Sequence, residues 1–231
     1  NISLSHSWGT SVSNNAALGG TLYEAYKFQS ITPVKNLEDE YAGNVFSDIP
    51  NPMGKLHRNK DNKDKKSRLV GNLYAELHLF DGFMFKTSFG ADYNNLYRRS
   101  FSPKYDEINA SEKLSGLSNR NAWNFNWVFT NTLNYTKTFG DHTINALLGL
   151  ESLRNRYEYF TASRDGFPSD DPNFHFLDAG DVGTQKNSGS ATEYSMVSYF
   201  GKIDYNYHDR YLVAFTLRRD GSSRLGNNKW G

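Results

Sequence analysis

The chain has 231 residues, 26 Lys and Arg against 25 Asp and Glu, and no cysteine. A balance that close to neutral argues against a dedicated nucleic-acid binder. The missing thiols remove any disulfide framework, thiolate nucleophile or thiolate metal site, and no apolar run approaches the ~18 residues of a membrane-spanning helix.

Mean hydropathy is −0.71, yet 15% of residues are aromatic. A chain that is both polar and aromatic fits a transmembrane barrel, where half of each strand faces lipid and half faces a wet lumen. The start, Asn1 to Ser5, lacks the basic end and apolar centre of a signal peptide. Ile2, Leu4 and Trp8 stand at even steps around His6, the end of a strand. A long loop is expected from Gly9 to about Lys66. Within it, Thr21-Leu22-Tyr23-Glu24 has the form of a capping box, opening a short helix with Leu22, Ala25 and Tyr26 on one side and ending before Pro33. Arg58 to Arg68 carries six basic residues against Asp61 and Asp64. A solvated loop is the plain reading, and a contact with lipid phosphates or an anionic substrate is the sharper one.

Three hairpins follow. In the first, Leu69, Gly71, Leu73, Ala75, Leu77 and Leu79 alternate with Asn72, Tyr74, Glu76 and His78. It turns at Asp81-Gly82 and returns through Phe83, Phe85, Phe89, Ala91 and Tyr93 against Lys86, Ser88, Asp92 and Asn94. Loop is expected from about Arg99 to Asn121. The second sends Trp123, Phe125, Trp127, Phe129, Leu133 and Tyr135 to one face and Asn124, Asn126, Thr130, Thr132 and Asn134 to the other. It turns at Gly140-Asp141 and returns with Ile144, Ala146, Leu148 and Leu150. Parity slips from Glu151 to Leu153, where a bulge is expected. Another loop spans about Ser163 to Ala191. The third hairpin places Val197, Tyr199, Gly201, Ile203, Tyr205 and Tyr207 opposite Ser198, Lys202, Asp204 and Asn206, turns at His208-Asp209-Arg210, and returns through Tyr211, Val213, Phe215 and Leu217.

Tight turns and long connections therefore alternate, as in outer-membrane barrels with short periplasmic turns and long external loops. The turns at Asp81, Gly140 and His208 are expected on the periplasmic side, and residues near Lys63, Ser111, Asp171 and Asn227 outside. Six or seven strands leave two bare sheet edges, so residues 1–231 are expected to be part of one barrel domain of a longer polypeptide. Strand aromatics such as Trp123, Trp127, Tyr205 and Tyr211 read as lipid-facing or interfacial anchors.

Site chemistry is sparse. The six histidines (His6, His57, His78, His142, His175 and His208) show no i,i+2 or i,i+4 pair, so no local metal pair is expected. Asp170-Asp171-Pro172-Asn173 and Asp61-Asn62-Lys63-Asp64 cluster oxygens, but read better as turns than as calcium loops. No nucleophile elbow, phosphate loop or dinucleotide fingerprint occurs, so neither an enzyme nor a cofactor is expected. Among loop aromatics, Tyr105, Phe174 and Phe176 are the candidates to stack on a sugar ring.

The block SYFGKIDYNYHDRYLVAFTLRRDGSSRLGNNKWG, Ser198 to Gly231, resembles the barrel signature of SusC/RagA-type TonB-dependent outer-membrane transporters, with Leu225 where that family usually has Phe. Arg58 to Lys63, Gly71 to Glu76, Thr138 to His142, Ala162 to Phe167 and Leu177 to Gly180 are similar to it as well. The resemblance implies an all-β fold, about seven strands of a roughly 22-stranded antiparallel barrel with a plugged lumen, in the bacterial outer membrane. Signal peptide, plug and remaining strands would lie outside this chain. It further implies import of oligosaccharides, in some members peptides, with a SusD-like surface lipoprotein over the external loops and the TonB complex acting through the plug. Outer-membrane lipid would surround the wall, and no nucleic acid or covalent chemistry is involved. A passive structural or adhesive barrel is the alternative.

Overall fold

The computed structural model describes residues 2–10 and 20–225. Its frame is seven antiparallel strands: β1 (Ile2–Thr10), β2 (Lys63–Phe80), β3 (Phe83–Ser102), β6 (Gly116–Phe139), β7 (His142–Asp165), β8 (Lys186–Tyr207) and β9 (Tyr211–Ser222), each hydrogen-bonded to its neighbours in that order. The short strands β4 (Tyr105–Glu107) and β5 (Ala110–Glu112) form a separate hairpin between β3 and β6. Two helices, α1 (Thr21–Lys27) and α2 (Pro52–Arg58), lie between β1 and β2.

Because paired residues share a face, the register sorts every side chain. Leu77, Phe85, Leu133, Leu148, Gly201 and Leu217 form one continuous row across six strands. Leu73, Phe89 and Phe129 lie two rows on, past Ala75, Thr87 and Asn131, and Phe125 and Phe215 have the same parity. The opposite face carries Glu76, Lys86, Thr132, Gly149, Phe200 and Arg218 in one row, with Asn72, Asn126 and Lys202 in others. That face is held by polar contacts: Lys86 Nζ lies 2.9 Å from Glu76, and Arg218 donates to Asp220 at 2.9 Å and to Ser198 at 3.0 Å. Apart from Leu79, which stands at a register shift beside the first turn, the residues of the three hairpins sort by the expected parity.

The apolar face has aromatic edges. Phe139, His142, Tyr207 and Tyr211 make a row beside the tight turns, with ring centroids 4.8 to 6.3 Å apart. Trp127 begins the other edge, with Phe125, Trp123 and Tyr93 just beyond on the same face. Phe139 and Trp127 stand twelve residues apart on β6; at ~3.3 Å per residue and ~45° of tilt this is about 28 Å, the thickness of a hydrocarbon core. Tyr205 and Tyr211 also lie on this face, as expected of anchors.

Three expectations require correction. β7 contains no bulge: its pairing with β6 and β8 runs unbroken from His142 to Ser163. Ser152, Arg154, Arg156 and Glu158 simply continue the face of Leu148 and Leu150: Ser152 pairs with Phe129 inside the band, and the charges begin at Arg154, paired with Trp127 at the band's aromatic edge, where a charge costs little. The one register shift among the described residues is between His78 and Phe80, where an extra residue turns Phe80 onto Phe83, ring centroids 4.5 Å apart. Second, the strands outrun the expected ends. β2 starts at Lys63, β3 reaches Ser102, β6 starts at Gly116 and β8 at Lys186. These extensions are mostly polar, with Phe101 and Leu117 as isolated apolar exceptions, so the alternation that betrays a strand disappears while the backbone ladder continues. Third, α1 forms without a capping box: Gly20 is its N-cap residue, Thr21 is already helical, and Glu24 pairs with Lys55.

The turns follow their residue types. Gly82 has φ +81°, and a Cβ there would meet the Thr136 carbonyl oxygen of the neighbouring strand. His208 and Asp209 both have positive φ, 56° and 53°, and Arg210 N–H donates to Tyr207 C=O at 3.0 Å, a type I′ turn. The loop expected beyond Leu225, including Asn227, falls outside the described residues.

Two outcomes are expected in the full-length protein. Leu133→Arg, on the apolar face mid-band, should lower folding stability in phospholipid vesicles by ~2–4 kcal/mol by urea titration, whereas Asn126→Arg on the opposite face should change it little; equal sensitivity would invalidate the face assignment. On intact cells, a membrane-impermeant thiol reagent should label Ser111→Cys and Asp171→Cys, and reach Asp81→Cys and Asp141→Cys only after the outer membrane is permeabilised. Labelling of the turns first would reverse the orientation.

Candidate functional site

The long connections do not hang free. They pack on one another at one end of the sheet, and two buried nodes hold them. Asn51, 1% exposed, is the first. Its Oδ1 accepts from the Met53 and Gly54 N–H groups at 3.0 and 3.3 Å, capping α2, with Pro52 at the first helical position. Its Nδ2 donates to the Val34 and Ala42 carbonyls, both at 3.0 Å, and its backbone N–H donates to Glu107 Oε2 at 2.6 Å. The other Glu107 oxygen accepts from Arg58 Nη1 at 2.7 Å, and both side chains are largely buried. Gly43 lets the β4–β5 hairpin close in: a Cβ there would fall on the Ile108 backbone at the hairpin tip.

Between these elements lies a pocket of about 230 Å³ lined by Glu24, Pro50, Lys55, Arg58, Asn59, Ser102, Pro103, Tyr105 and Glu112. The Arg58 guanidinium sits over the Tyr105 ring, 3.9 Å from its centroid. Burial pushes the Tyr105 phenol above its ordinary pKa, with Arg58 pulling the other way. Lys55 Nζ donates to Glu24 Oε1 at 2.6 Å. Arg58 to Arg68 is therefore not a solvated loop. Arg58 closes α2 and is buried against Glu107, Lys63 to Arg68 belong to β2, and Asp64 receives both Arg98 Nε and Nη2 at 2.7 and 2.6 Å.

The second node joins the other connections. Phe101, Leu117 and Phe167 form a small core with Leu177 and Ala179 against it. The Ser115 hydroxyl donates to Phe167 C=O at 3.2 Å and accepts from its N–H at 3.0 Å, and Asn62 Oδ1 accepts from Phe101 N–H at 2.6 Å. His175, 4% exposed, stacks on Phe101 with centroids 3.6 Å apart. Burial pushes its pKa below the ordinary histidine value, reinforced by Arg99 and opposed by its contact with the Asp170 carbonyl.

The sequence candidates are thus separated. Tyr105 lines the pocket, whereas Phe174 and Phe176 lie in the last long connection, 56% and 65% exposed, flanking the buried His175. No ring contact among the described residues joins either to Tyr105. Sequence reasoning missed Glu24, Asn51, Arg58 and Glu107 as a set, because their partners are 31 to 56 residues away. Asn before Pro52 was a cap signal that could have placed α2. Asp171 caps the Asn173 N–H at 2.9 Å, and among the described residues no three His, Asp or Glu side chains are placed to hold a metal ion.

No family model matches the chain. It is 32% identical over 227 residues to TonB-dependent receptor P3 of Formosa agariphila, covering 95% of this chain and 22% of that protein. It is 26% identical to TonB-dependent receptor SusC of Bacteroides thetaiotaomicron, over 87% of this chain and 19% of that one. Over nearly its whole length the chain is similar to TonB-dependent receptors, SusC among them. Its fold is that of their barrel wall: the solved RagAB peptide transporter superposes with a TM-score of 0.70 at 24% identity, over 78% of this chain and 20% of that one. The apolar band is accordingly the lipid face of an outer-membrane barrel and the Glu76–Arg218 row its lumen face. The chain spans about a fifth of the length of the curated receptors it matches.

His175 gives the connection between β7 and β8 a pH dependence. A buried neutral imidazole with a lowered pKa stabilises the folded loop fully above the ordinary value near 6.5, and that stability is lost as pH falls from there through the lowered folded value. Limited proteolysis of the full-length protein should cut within residues 166–185 faster at pH 5 than at pH 7.5, and His175→Phe should flatten the difference. An unchanged pH difference in that variant would assign it to other groups.

Proposed function

We propose that this chain is wall and loop cap of a transporter that imports oligosaccharides across the outer membrane with energy from the TonB complex, in company with a SusD-like surface lipoprotein. The observation that carries this reading is the 32% identity to a TonB-dependent receptor over 95% of the chain, joined to a sheet whose lumen face is mostly polar, with Leu147 and Phe200 among the polar side chains. A polar wall suits a lumen that is filled by a plug and passed by hydrated ligands. TonB would act on that plug, and no step makes or breaks a bond in the ligand.

The partner reading is supported by the first long connection. Leu22, Tyr26, Ile31, Leu37 and Phe46 are 59 to 107% exposed there. Apolar side chains collected on one loop unit, away from the lipid face, are what a protein lid would cover. Peptide import is the second reading, favoured by the structural likeness to the RagAB peptide transporter. A passive or adhesive barrel is the third. Cells carrying the full-length gene should accumulate labelled oligosaccharide, and deleting either tonB or the gene itself should abolish this. Accumulation of labelled peptides alone would favour the second reading, and no TonB-dependent uptake of either would leave the third.

A further inference from the structure

The pocket between α1, α2 and the β4–β5 hairpin has a feature that its structural role does not explain. Glu24 is held by Lys55 through Oε1, but Oε2, shielded from solvent, accepts from no group. A buried carboxylate oxygen without a donor is costly, and Glu24 lines an open pocket in which a donor could be supplied. The last torsion of a glutamate is broad and roughly two-fold, so the carboxylate swivels readily to present that oxygen.

We propose that this pocket is a sugar subsite, taking one neutral pyranose ring of a longer glycan; the inference rests on the oligosaccharide-import reading and adds where and how a ring is recognised. Size is the first argument. About 230 Å³ is below the ~300–1,000 Å³ of sites that enclose whole drug-sized ligands, which suits one ring with the rest of the chain outside. Charge is the second. Glu24 is paired with Lys55 and Arg58 with Glu107, so the lining offers no uncompensated cation for a phosphate or sulfate, and the exposed Glu112 adds a further carboxylate that accepts from a hydroxyl. The demand left over is for a neutral donor that also accepts. A sugar hydroxyl is both, giving its proton to Glu24 and accepting from N–H groups of Lys55 or Arg58. Shape is the third. Pro50, Pro103 and the Tyr105 ring supply the apolar surface that the C–H face of a pyranose covers, with Tyr105 fixed by the guanidinium on its ring. Glu24, Arg58 and Tyr105 are held by contacts within the protein, so these walls of the subsite exist before the ligand arrives.

The test uses the purified full-length protein in an amine-oxide detergent, which has no sugar headgroup. Saturation-transfer NMR is run with methyl glucoside, galactoside, mannoside and xyloside, and with alanyl-alanine and inorganic phosphate as alternatives. At least one glycoside should receive saturation at its ring protons, about tenfold weaker in Tyr105→Ala and in Glu24→Gln, with the heat-modifiable folded band retained in both. Because Glu24→Gln also breaks the Lys55 pair, Tyr105→Phe serves as a second variant; it keeps the ring and should keep most of the signal. No glycoside signal in the parent protein, the same signal in Tyr105→Ala, or saturation of the dipeptide or a phosphate-induced shift alone would overturn the subsite. TonB-dependent glycan uptake without a glycoside signal would defeat the subsite and leave the import reading. A Tyr105-dependent signal without TonB-dependent uptake would defeat the import reading and leave the subsite.

Discussion

In the hydrocarbon core no water is present to satisfy a backbone N–H or C=O, so each must find a partner in the next strand. That demand organises this sheet. Pairing from β2 to β9 continues without a slip except beside the first tight turn, and an unbroken register leaves only one freedom, the choice of side chain at each parity. Leu133 and Thr132 are neighbours in sequence, yet one lies in the apolar band and the other in the Glu76–Arg218 row. A single inserted residue mid-band would exchange the two faces for every residue beyond it. The tolerated shift, between His78 and Phe80, sits next to the turn, where few residues follow it, and its effect is to bring Phe80 into the aromatic edge.

The same strands continue well past the band. β6 and β7 have 24 residues each, against the ~9–11 that a tilted strand needs to cross. The extra length lifts the long connections onto a rigid ladder. Asn62 Oδ1, just before β2, takes the N–H of Phe101 near the end of β3, and Ser115, just before β6, is bonded to Phe167 just after β7. The connections therefore inherit the register of the sheet. The Arg58–Glu107 and Asn51–Glu107 contacts then join the helical connection to the β4–β5 hairpin, so that Tyr105 and Glu24 come to face one cavity from chain segments that are remote in sequence.

This explains what was legible in the sequence. Inside the band, period-two alternation is enforced by lipid on one side and water on the other, and Leu73, Phe85, Asn126 and Lys202 could be sorted without coordinates. Beyond the band both faces are largely wet, so Arg99, Ser100 and Ser118 to Asn121 show no alternation and read as loop although they are strand. The polar run after Leu150 looked like a slip in phase when it was a change of surroundings at constant phase. In the connections the deciding contacts are long-range. Nothing local marks Glu107 as the partner of Asn51, or separates the exposed Phe174 and Phe176 from the buried His175 between them. Tyr105 was singled out only as an aromatic in a loop; its place in a pocket depends on Arg58, a residue whose basic neighbours suggested a solvated segment.

The two buried ion pairs of the cap are poor devices for stability alone. Removing Arg58 and Glu107 from water costs much of what their attraction returns, and a hydrophobic pair of similar volume would often hold as well. Their geometry gives a different advantage. A guanidinium is planar and donates in fixed directions, so when one edge is committed to Glu107, its face is set against Tyr105. Glu107 is in turn oriented by the Asn51 N–H, whose residue caps α2 and grips the Val34 and Ala42 carbonyls. Each group in this chain of contacts has its direction fixed by the next. An apolar core would fill the same space but leave the ring free to slide. In a cap built on loops, directional contacts of this kind are what keep an aromatic wall in place, and the sequence spends buried charge where position matters and leaves the simple burial of area to Phe101, Leu117 and Phe167.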